Sequence, residues 1–161
     1  MTIWFTSDSH YLHHHVATLR GFSSCKEHDD HVIAQHNKLV KPDDIVWHLG
    51  DVGIAHTAEL LPVVARLNGR QQLITGNHDA PFPGHRDARR HQKVWLEVFD
   101  SVQAYARVRI AGQEFMLSHF PYSGDHTGQE RYSQYRLRDD GMWLLHGHVH
   151  SKQKLWSTGP R

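Results

Sequence analysis

Short apolar runs alternate with stretches of helical periodicity along most of the chain. The apolar runs predict strands over residues 2–7, 45–48, 71–75, 113–118 and 143–145. Apolar side chains at helical spacing predict helices over residues 28–40, 57–67 and 86–99. The first of these helices ends at Lys41-Pro42, because the residue before a proline avoids the helical region. Alternating strands and helices are typical of an α/β fold.

Residues 102–110 alternate apolar and polar side chains and predict one further strand. The turn Ala111-Gly112 joins it to the strand over residues 113–118, so the two form a β-hairpin of a second sheet. Residues 153–157 are a candidate last strand, after which the chain stops. We therefore expect a short final edge of the second sheet, within a single domain over residues 1–161.

Each of five apolar runs is followed by side chains that bind metals or transfer protons. These clusters are Asp8-Ser9-His10, Gly50-Asp51, Gly76-Asn77-His78-Asp79, Ser118-His119 and Gly147-His148-Val149-His150. Ligands of open α/β sheets bind outside the carboxyl ends of the strands, so we expect the clusters to meet in one site. Their carboxylate, imidazole and amide donors outnumber the needs of one tetrahedral ion and suit a pair of metals.

Charge and cysteine content narrow the class of protein. A net charge of +1 and a pI of about 8.1 give no argument for a nucleic-acid or membrane surface. Cys25 is the single cysteine, which excludes an intramolecular disulfide and fits a reducing compartment. The first strand already carries the first cluster, so a signal peptide is not expected there. Together with the lack of a long apolar stretch, this predicts a cytoplasmic protein without a membrane span.

The ordered motifs D-x-H, G-D, G-N-H-D, H and G-H-x-H resemble those of the calcineurin-like metallophosphoesterases. The resemblance extends from Asp8 to His150. Longer stretches are most similar to the small bacterial and phage phosphoesterases of that superfamily: Trp47-His48-Leu49-Gly50-Asp51, Leu117-Ser118-His119-Phe120-Pro121-Tyr122 and His146-Gly147-His148. The resemblance implies a four-layer fold, in which a two-sheet β-sandwich is flanked by helices.

The resemblance also implies roles for the residues of the site. One ion is expected on Asp8, His10, Asp51 and His150, and a second on Asp51, Asn77, His119 and His148. Asp51 then bridges the ions, and a hydroxide between them attacks phosphorus. His78 is expected to protonate the leaving oxygen, with Asp79 orienting it. Mixed oxygen and imidazole donors favour two divalent transition metals, namely Mn²⁺, Fe or Zn²⁺, over Mg²⁺ or Ca²⁺.

The motif context also bears on the substrate. Protein phosphatases of the superfamily carry an Asp-Arg pair shortly after the G-D motif, where this chain has Val52-Gly53-Ile54-Ala55. We therefore expect a small phosphodiester, with 2′,3′-cyclic nucleotides first, and no obligatory nucleic-acid or protein partner. The alternatives are a nucleotide phosphomonoesterase, a nuclease for short oligonucleotides, and a non-catalytic metal-dependent binding module. The presence of His78 argues against the binding module.

Candidates for substrate contacts lie outside the motifs. These candidates are His13, Tyr122 and Arg131. The loop over residues 120–140 is rich in tyrosine and arginine, which either stack a base and hold a phosphate or form an ordinary surface loop. The basic start of the helix over residues 86–99 is either a solvated face or a phosphate contact.

Overall fold

A computed structural model describes residues 1–155. Its helices are α1 (His14–Leu19), α2 (Cys25–Leu39), α3 (Thr57–Val64) and α4 (Ala88–Trp95). Its strands are β1 (Ile3–Thr6), β2 (Ile45–His48), β3 (Arg70–Ile74), β4 (Ser101–Gln103), β5 (Tyr105–Ile110), β6 (Gln113–Ser118) and β7 (Trp143–Leu145). Within the described range, each helix is too short or too polar to cross a bilayer.

The strands form two sheets. The first has the order β1-β2-β3-β4 with all neighbours parallel, and the second has the order β5-β6-β7. In the second sheet β5 and β6 are antiparallel, whereas β6 and β7 are parallel. Thr6 lies opposite His48, and His48 lies opposite Leu73. Strands β1, β2 and β3 therefore end at the same edge, where their polar clusters follow.

Strand β3 is covered on both faces because its successive side chains enter different cores. Leu73 packs with Ile33 of α2 and Leu60 of α3. Ile74 packs between the sheets with Leu117 of β6. Both β3 side chains are fully buried. The strand that precedes Asn77 and His78 is thus held rigidly.

The predicted fold class, two sheets flanked by helices, is confirmed. Helices α2, α3 and α4 supply core residues on the outer face of the first sheet. The outer face of the second sheet presents Tyr105, Arg107 and Arg109 to solvent. Residues 1–155 therefore form three layers, and the fourth layer that the resemblance implies is not seen among them.

The prediction of one strand over residues 102–110 is wrong. Ser101–Gln103 is β4 of the first sheet, and Tyr105–Ile110 is β5 of the second. The chain changes sheets at Ala104, but the apolar alternation continues through this position and gives no local sign of the crossing. Of the candidate strand over residues 153–157, residues 153–155 are not in a strand, and residues 156–157 lie outside the described part.

Helix ends differ from prediction where side-chain hydrogen bonds set them. Helix α2 begins at Cys25 because Ser24 Oγ accepts a hydrogen bond from Glu27 N at 3.1 Å, a capping arrangement visible in the sequence as S-x-x-E. Thr57 is the first residue of α3, and its hydroxyl accepts from Trp95 Nε1 at 3.2 Å. Helices α3 and α4 are shorter than predicted.

Candidate metal centre

Five of the predicted ligand residues have a left-handed backbone. They are Asp8, His10, Asp51, His148 and His150, with φ between 48° and 70°. This conformation is unfavourable for residues other than glycine and persists only where the surrounding structure enforces it. Tight turns at the strand ends therefore bring these side chains together.

The first cluster joins the ends of β1 and β7. The Nε2 atoms of His10 and His150 lie 3.3 Å apart, and Asp8 Oδ1 lies 3.1 Å from His150 Nε2 and 3.9 Å from His10 Nε2. Atoms that bind one ion at about 2.0–2.2 Å are about 3.0–3.6 Å from each other. Burial lowers the pKa of His10 to about 4, which keeps its imidazole neutral, as metal binding requires. The cluster fits a divalent cation.

The second cluster contains Asp51, His119 and His148, whose ligand atoms lie within 4.8 Å of one another. His119 Nδ1 donates to the carbonyl of Leu49 at 2.8 Å, which leaves its Nε2, 3.4 Å from Asp51 Oδ2, as the ring nitrogen available to a metal. His119 Nε2 and Asn77 Oδ1 are buried without a hydrogen-bond partner among the described residues. Because buried polar atoms are normally paired, these two atoms fit a bound metal.

Asp51 lies at the centre of the site and is 2% exposed. Its Oδ1 accepts a hydrogen bond from His78 N at 2.9 Å. Burial raises the pKa of Asp51, but its contacts with His119 and His78 outweigh that effect and hold the pKa well below its ordinary range. A Cβ at Gly76 would overlap the Asp51 carboxylate, which is why glycine precedes Asn77. Asp51 is therefore an ionised carboxylate in a tightly packed position.

His78 and Asp79 occupy different environments. The His78 side chain is 43% exposed, with Nε2 3.9 Å from Asp51 Oδ2. Asp79 is fully buried, and its carboxylate accepts from the backbone N–H groups of Asp51, Val52 and Gly76 at 2.7–3.0 Å. Burial and the charge of Asp51 raise the pKa of Asp79 to about 7, although these donors act in the opposite direction. The expectation that Asp79 orients His78 is not met: Asp79 instead holds together the two loops that carry Asp51 and Asn77.

The candidate substrate contacts have local roles. His13 caps α1, its Nδ1 accepting from Val16 N at 3.4 Å, and its ring lies 5.6 Å from that of His10. Tyr122 donates to the carbonyl of Met142. Arg131 donates to Asp125 at 3.0 Å and stabilises the loop over residues 120–140. Contacts of these residues with a substrate stay predictions. The basic residues on α4 or just before it are exposed and belong to neither cluster: Arg86, Arg89, Arg90 and Lys93.

Asp125 is a residue of the site that the sequence did not single out. Its side chain is fully buried, and its Oδ2 lies 3.0 Å from His148 Nε2. A carboxylate at Nε2 fixes the imidazole tautomer and leaves Nδ1 of His148 for a metal. A third group of side chains that could bind a metal consists of Asp125, His126 and His148. The Arg131 guanidinium, 3.0 Å from Asp125 Oδ1, already supplies the positive charge there.

Asp125→Asn is expected to weaken metal binding to the His148 cluster by about 10–100-fold, because the carboxylate that orients the imidazole is lost. Isothermal titration of chelator-treated protein with Mn²⁺ measures this change. Asp140→Asn is the matched control, since Asp140 lies in the same loop and forms an exposed ion pair with Arg138. Equal Mn²⁺ affinities for the two variants would exclude the orienting role of Asp125.

Carboxylate and imidazole side chains at the strand ends of a two-sheet α/β sandwich form a candidate metal centre. The family model of the calcineurin-like phosphoesterase superfamily domain matches residues 1–159, and the chain belongs to this family. Family membership makes it a metallophosphoesterase, a hydrolase of phosphoester bonds, and the predicted resemblance is confirmed. The clusters described above are its candidate metal ligands.

Similar proteins occur in phages, archaea and bacteria. The Gene 66 proteins of Mycobacterium phages D29 and L5 are 42% and 41% identical to this chain, covering 99% and 94% of it and 84% and 79% of their own lengths. The uncharacterized protein MJ1445 of Methanocaldococcus jannaschii is 29% identical over 92% of this chain and 69% of its own. The crystal structure of the protein of unknown function AQ665 from Aquifex aeolicus aligns with a TM-score of 0.68 and 28% identity, covering 94% of this chain and 81% of that one.

Proposed function

We propose that the protein is a dinuclear metal-dependent phosphodiesterase whose substrates are small phosphodiesters, with 2′,3′-cyclic nucleotides first. The observation that carries the proposal is the presence of two ligand clusters where strands of the two sheets end. Asp8, His10 and His150 form one, and Asp51, His119 and His148 form the other. The Oδ1 of Asn77, which has no hydrogen-bond partner within residues 1–155, adds an amide ligand. Mixed oxygen and imidazole donors support Mn²⁺, Fe or Zn²⁺ at both positions.

The residues of the chain divide the chemistry among them. When bound, two divalent metals lower the pKa of a water molecule that attacks phosphorus and offset the charge of the phosphoryl oxygens. Asp51 supplies a shared negative charge between the two clusters. His78 lies beside Asn77 with an accessible imidazole, and it delivers a proton to the leaving oxygen. Asp79 keeps these loops in register through its three backbone hydrogen bonds.

A cavity beside the first cluster supports a small substrate. It has a volume of about 390 Å³ and is bordered by Asp8, His150, Tyr122 and Trp143. This size lies at the lower end of the range for small-molecule pockets, and the two aromatic side chains offer surfaces for a base. A cytoplasmic location is part of the proposal and is supported by the single cysteine, Cys25.

A substrate panel tests the proposal. Chelator-treated protein is reloaded with Mn²⁺, Fe²⁺ or Zn²⁺ and assayed with bis-p-nitrophenyl phosphate, p-nitrophenyl phosphate, 2′,3′-cyclic AMP and a short oligonucleotide. We expect turnover of the two diesters of low mass, and no turnover before reloading. Preference for the monoester would identify a phosphomonoesterase, and preference for the oligonucleotide a nuclease. Absence of turnover by metal-loaded protein would leave a metal-dependent binding module.

A further inference from the structure

The turn over residues 8–12 carries two metal-ligand candidates and is held from two sides. On the side of β2, backbone N–H groups of Asp8, His10 and Tyr11 donate to carbonyls of residues 50–52 at 2.9–3.1 Å. These hydrogen bonds fix the turn relative to Asp51. They leave the carbonyl groups of Asp8 and Ser9 to be satisfied from the opposite side.

Arg20 provides that second side. Its Nη2 donates to the carbonyl of Asp8 at 2.8 Å, and its Nη1 donates to the carbonyl of Ser9 at 2.9 Å. Nη1 also lies 2.8 Å from His28 Nε2. The residue as a whole is exposed, so its guanidinium reaches these acceptors from the protein surface. One planar guanidinium thus joins three acceptors, which a lysine ammonium cannot match in geometry.

A buried pair of residues stands behind the guanidinium. Since an arginine only donates, His28 Nε2 is the acceptor, and His28 Nδ1–H then donates to Asp29 Oδ1 at 2.7 Å. Asp29 Oδ2 accepts from Leu12 N at 3.0 Å. His28 and Asp29 are 0% and 3% exposed. The chain of hydrogen bonds therefore begins at the carbonyl of Asp8 and returns to the same turn at Leu12.

This chain of hydrogen bonds stabilises a turn whose backbone is strained. Asp8, His10 and Leu12 have left-handed φ angles of 53°, 53° and 60°. Each of these conformations is unfavourable in a residue other than glycine and relaxes unless neighbouring groups prevent it. Hydrogen bonds to both ends of the strained turn oppose that relaxation. His10 lies between the two anchored ends.

We propose that Arg20, supported by His28 and Asp29, is a positioning residue that holds Asp8 and His10 in metal-binding geometry. Its effect on metal binding rests on the proposed function, whereas its effect on the turn does not. Arg20 contacts the backbone of Asp8 and Ser9, so it acts on a metal only through the turn. Its loss is expected to affect the Asp8–His10–His150 cluster and to leave the Asp51–His119–His148 cluster intact.

Arg20→Met, Arg20→Lys and the control Arg66→Met test the proposal. Arg66 forms an exposed ion pair with Asp30 at 2.6 Å, and within residues 1–155 it makes no hydrogen bond or ion pair with the turn. In metal-free protein, hydrogen exchange at the amides of residues 8–12 is expected to accelerate in both Arg20 variants and not in Arg66→Met. In Mn²⁺ titrations of the Arg20 variants, the first equivalent is expected to bind as tightly as in the wild-type protein. The second equivalent is expected to bind about 10–100-fold more weakly than it does in the wild-type protein.

The two Arg20 variants separate geometry from charge. Lysine retains the positive charge but cannot make the three contacts, so Arg20→Lys is expected to behave like Arg20→Met. Unchanged exchange at residues 8–12 in both variants would overturn the proposal. An effect of Arg20→Met that Arg20→Lys lacks would also overturn it, because charge alone would then explain the result. If the unchanged protein bound no Mn²⁺, the proposed function would fail, while the exchange experiment would still decide the role of Arg20.

Discussion

Asp51→Asn is expected to weaken the binding of both metal ions. It should also reduce phosphodiester turnover by more than the roughly 10–100-fold that is typical when a residue hydrogen-bonded to a metal ligand is replaced. Asp51 is buried and ionised, and it lies 3.4 Å from His119 and 3.9 Å from His78 through Oδ2. Asparagine removes the negative charge and replaces one acceptor oxygen with a donor. Elemental analysis and Mn²⁺ titration measure the metal content, and bis-p-nitrophenyl phosphate measures turnover.

His150→Gln is the comparison for Asp51→Asn. His150 contacts Asp8 and His10 in the first cluster, and its residue is exposed at the rim of the site. Its replacement is expected to weaken the binding of one metal ion and to leave the binding of the other unchanged. If Asp51→Asn bound two ions as tightly as the wild-type protein does, the bridging position of Asp51 would be contradicted.

His78→Ala is expected to retain both ions and to lose activity according to the leaving group. The interaction of His78 that supports Asp51 comes from its backbone N–H, which alanine keeps. A general acid contributes about 10²–10⁴-fold when the leaving alkoxide is basic, and much less when the leaving group is stable as an anion. The loss should therefore be large for 2′,3′-cyclic AMP and small for bis-p-nitrophenyl phosphate.

His14→Ala is the matched control for His78→Ala. His14 is an exposed histidine at the start of α1, outside both clusters. Its replacement is expected to change neither metal content nor turnover of either ester. Equal losses on the two esters by His78→Ala, together with a missing ion, would make His78 a metal ligand instead of a proton donor.

The position of the polar clusters after the strands could be predicted, because the sequence signals for a strand and for the turn that follows it are local. A strand such as β3 reads as a short apolar run, and the glycine and polar residues that follow it mark the turn. Since the parallel strands β1, β2 and β3 end at a common edge, the meeting of Asp8, Asp51 and Asn77 follows from topology. The left-handed backbone of Asp8 and His10 could not be predicted, because aspartate and histidine rarely adopt it without outside support.

The supporting residues were missed because they act at long range. Asp125 lies 23 positions from His148 in a loop without a regular pattern, and only the folded chain brings them to 3.0 Å. Arg20 contacts the turn through backbone carbonyls, which carry no side-chain signature. The role of Asp79 differed from expectation for the same reason: its partners are backbone N–H groups, two of them in another loop.

Anomalous X-ray scattering from crystals soaked in Mn²⁺ tests the dinuclear site most directly. We expect two peaks roughly 3.5–4 Å apart, the separation found in two-metal phosphoesterase sites. One should lie among Asp8, His10 and His150, the other among Asn77, His119 and His148, with the Asp51 carboxylate between them. A single peak, or a peak on Asp125 and His126 without the expected pair, would contradict a dinuclear centre bridged by Asp51.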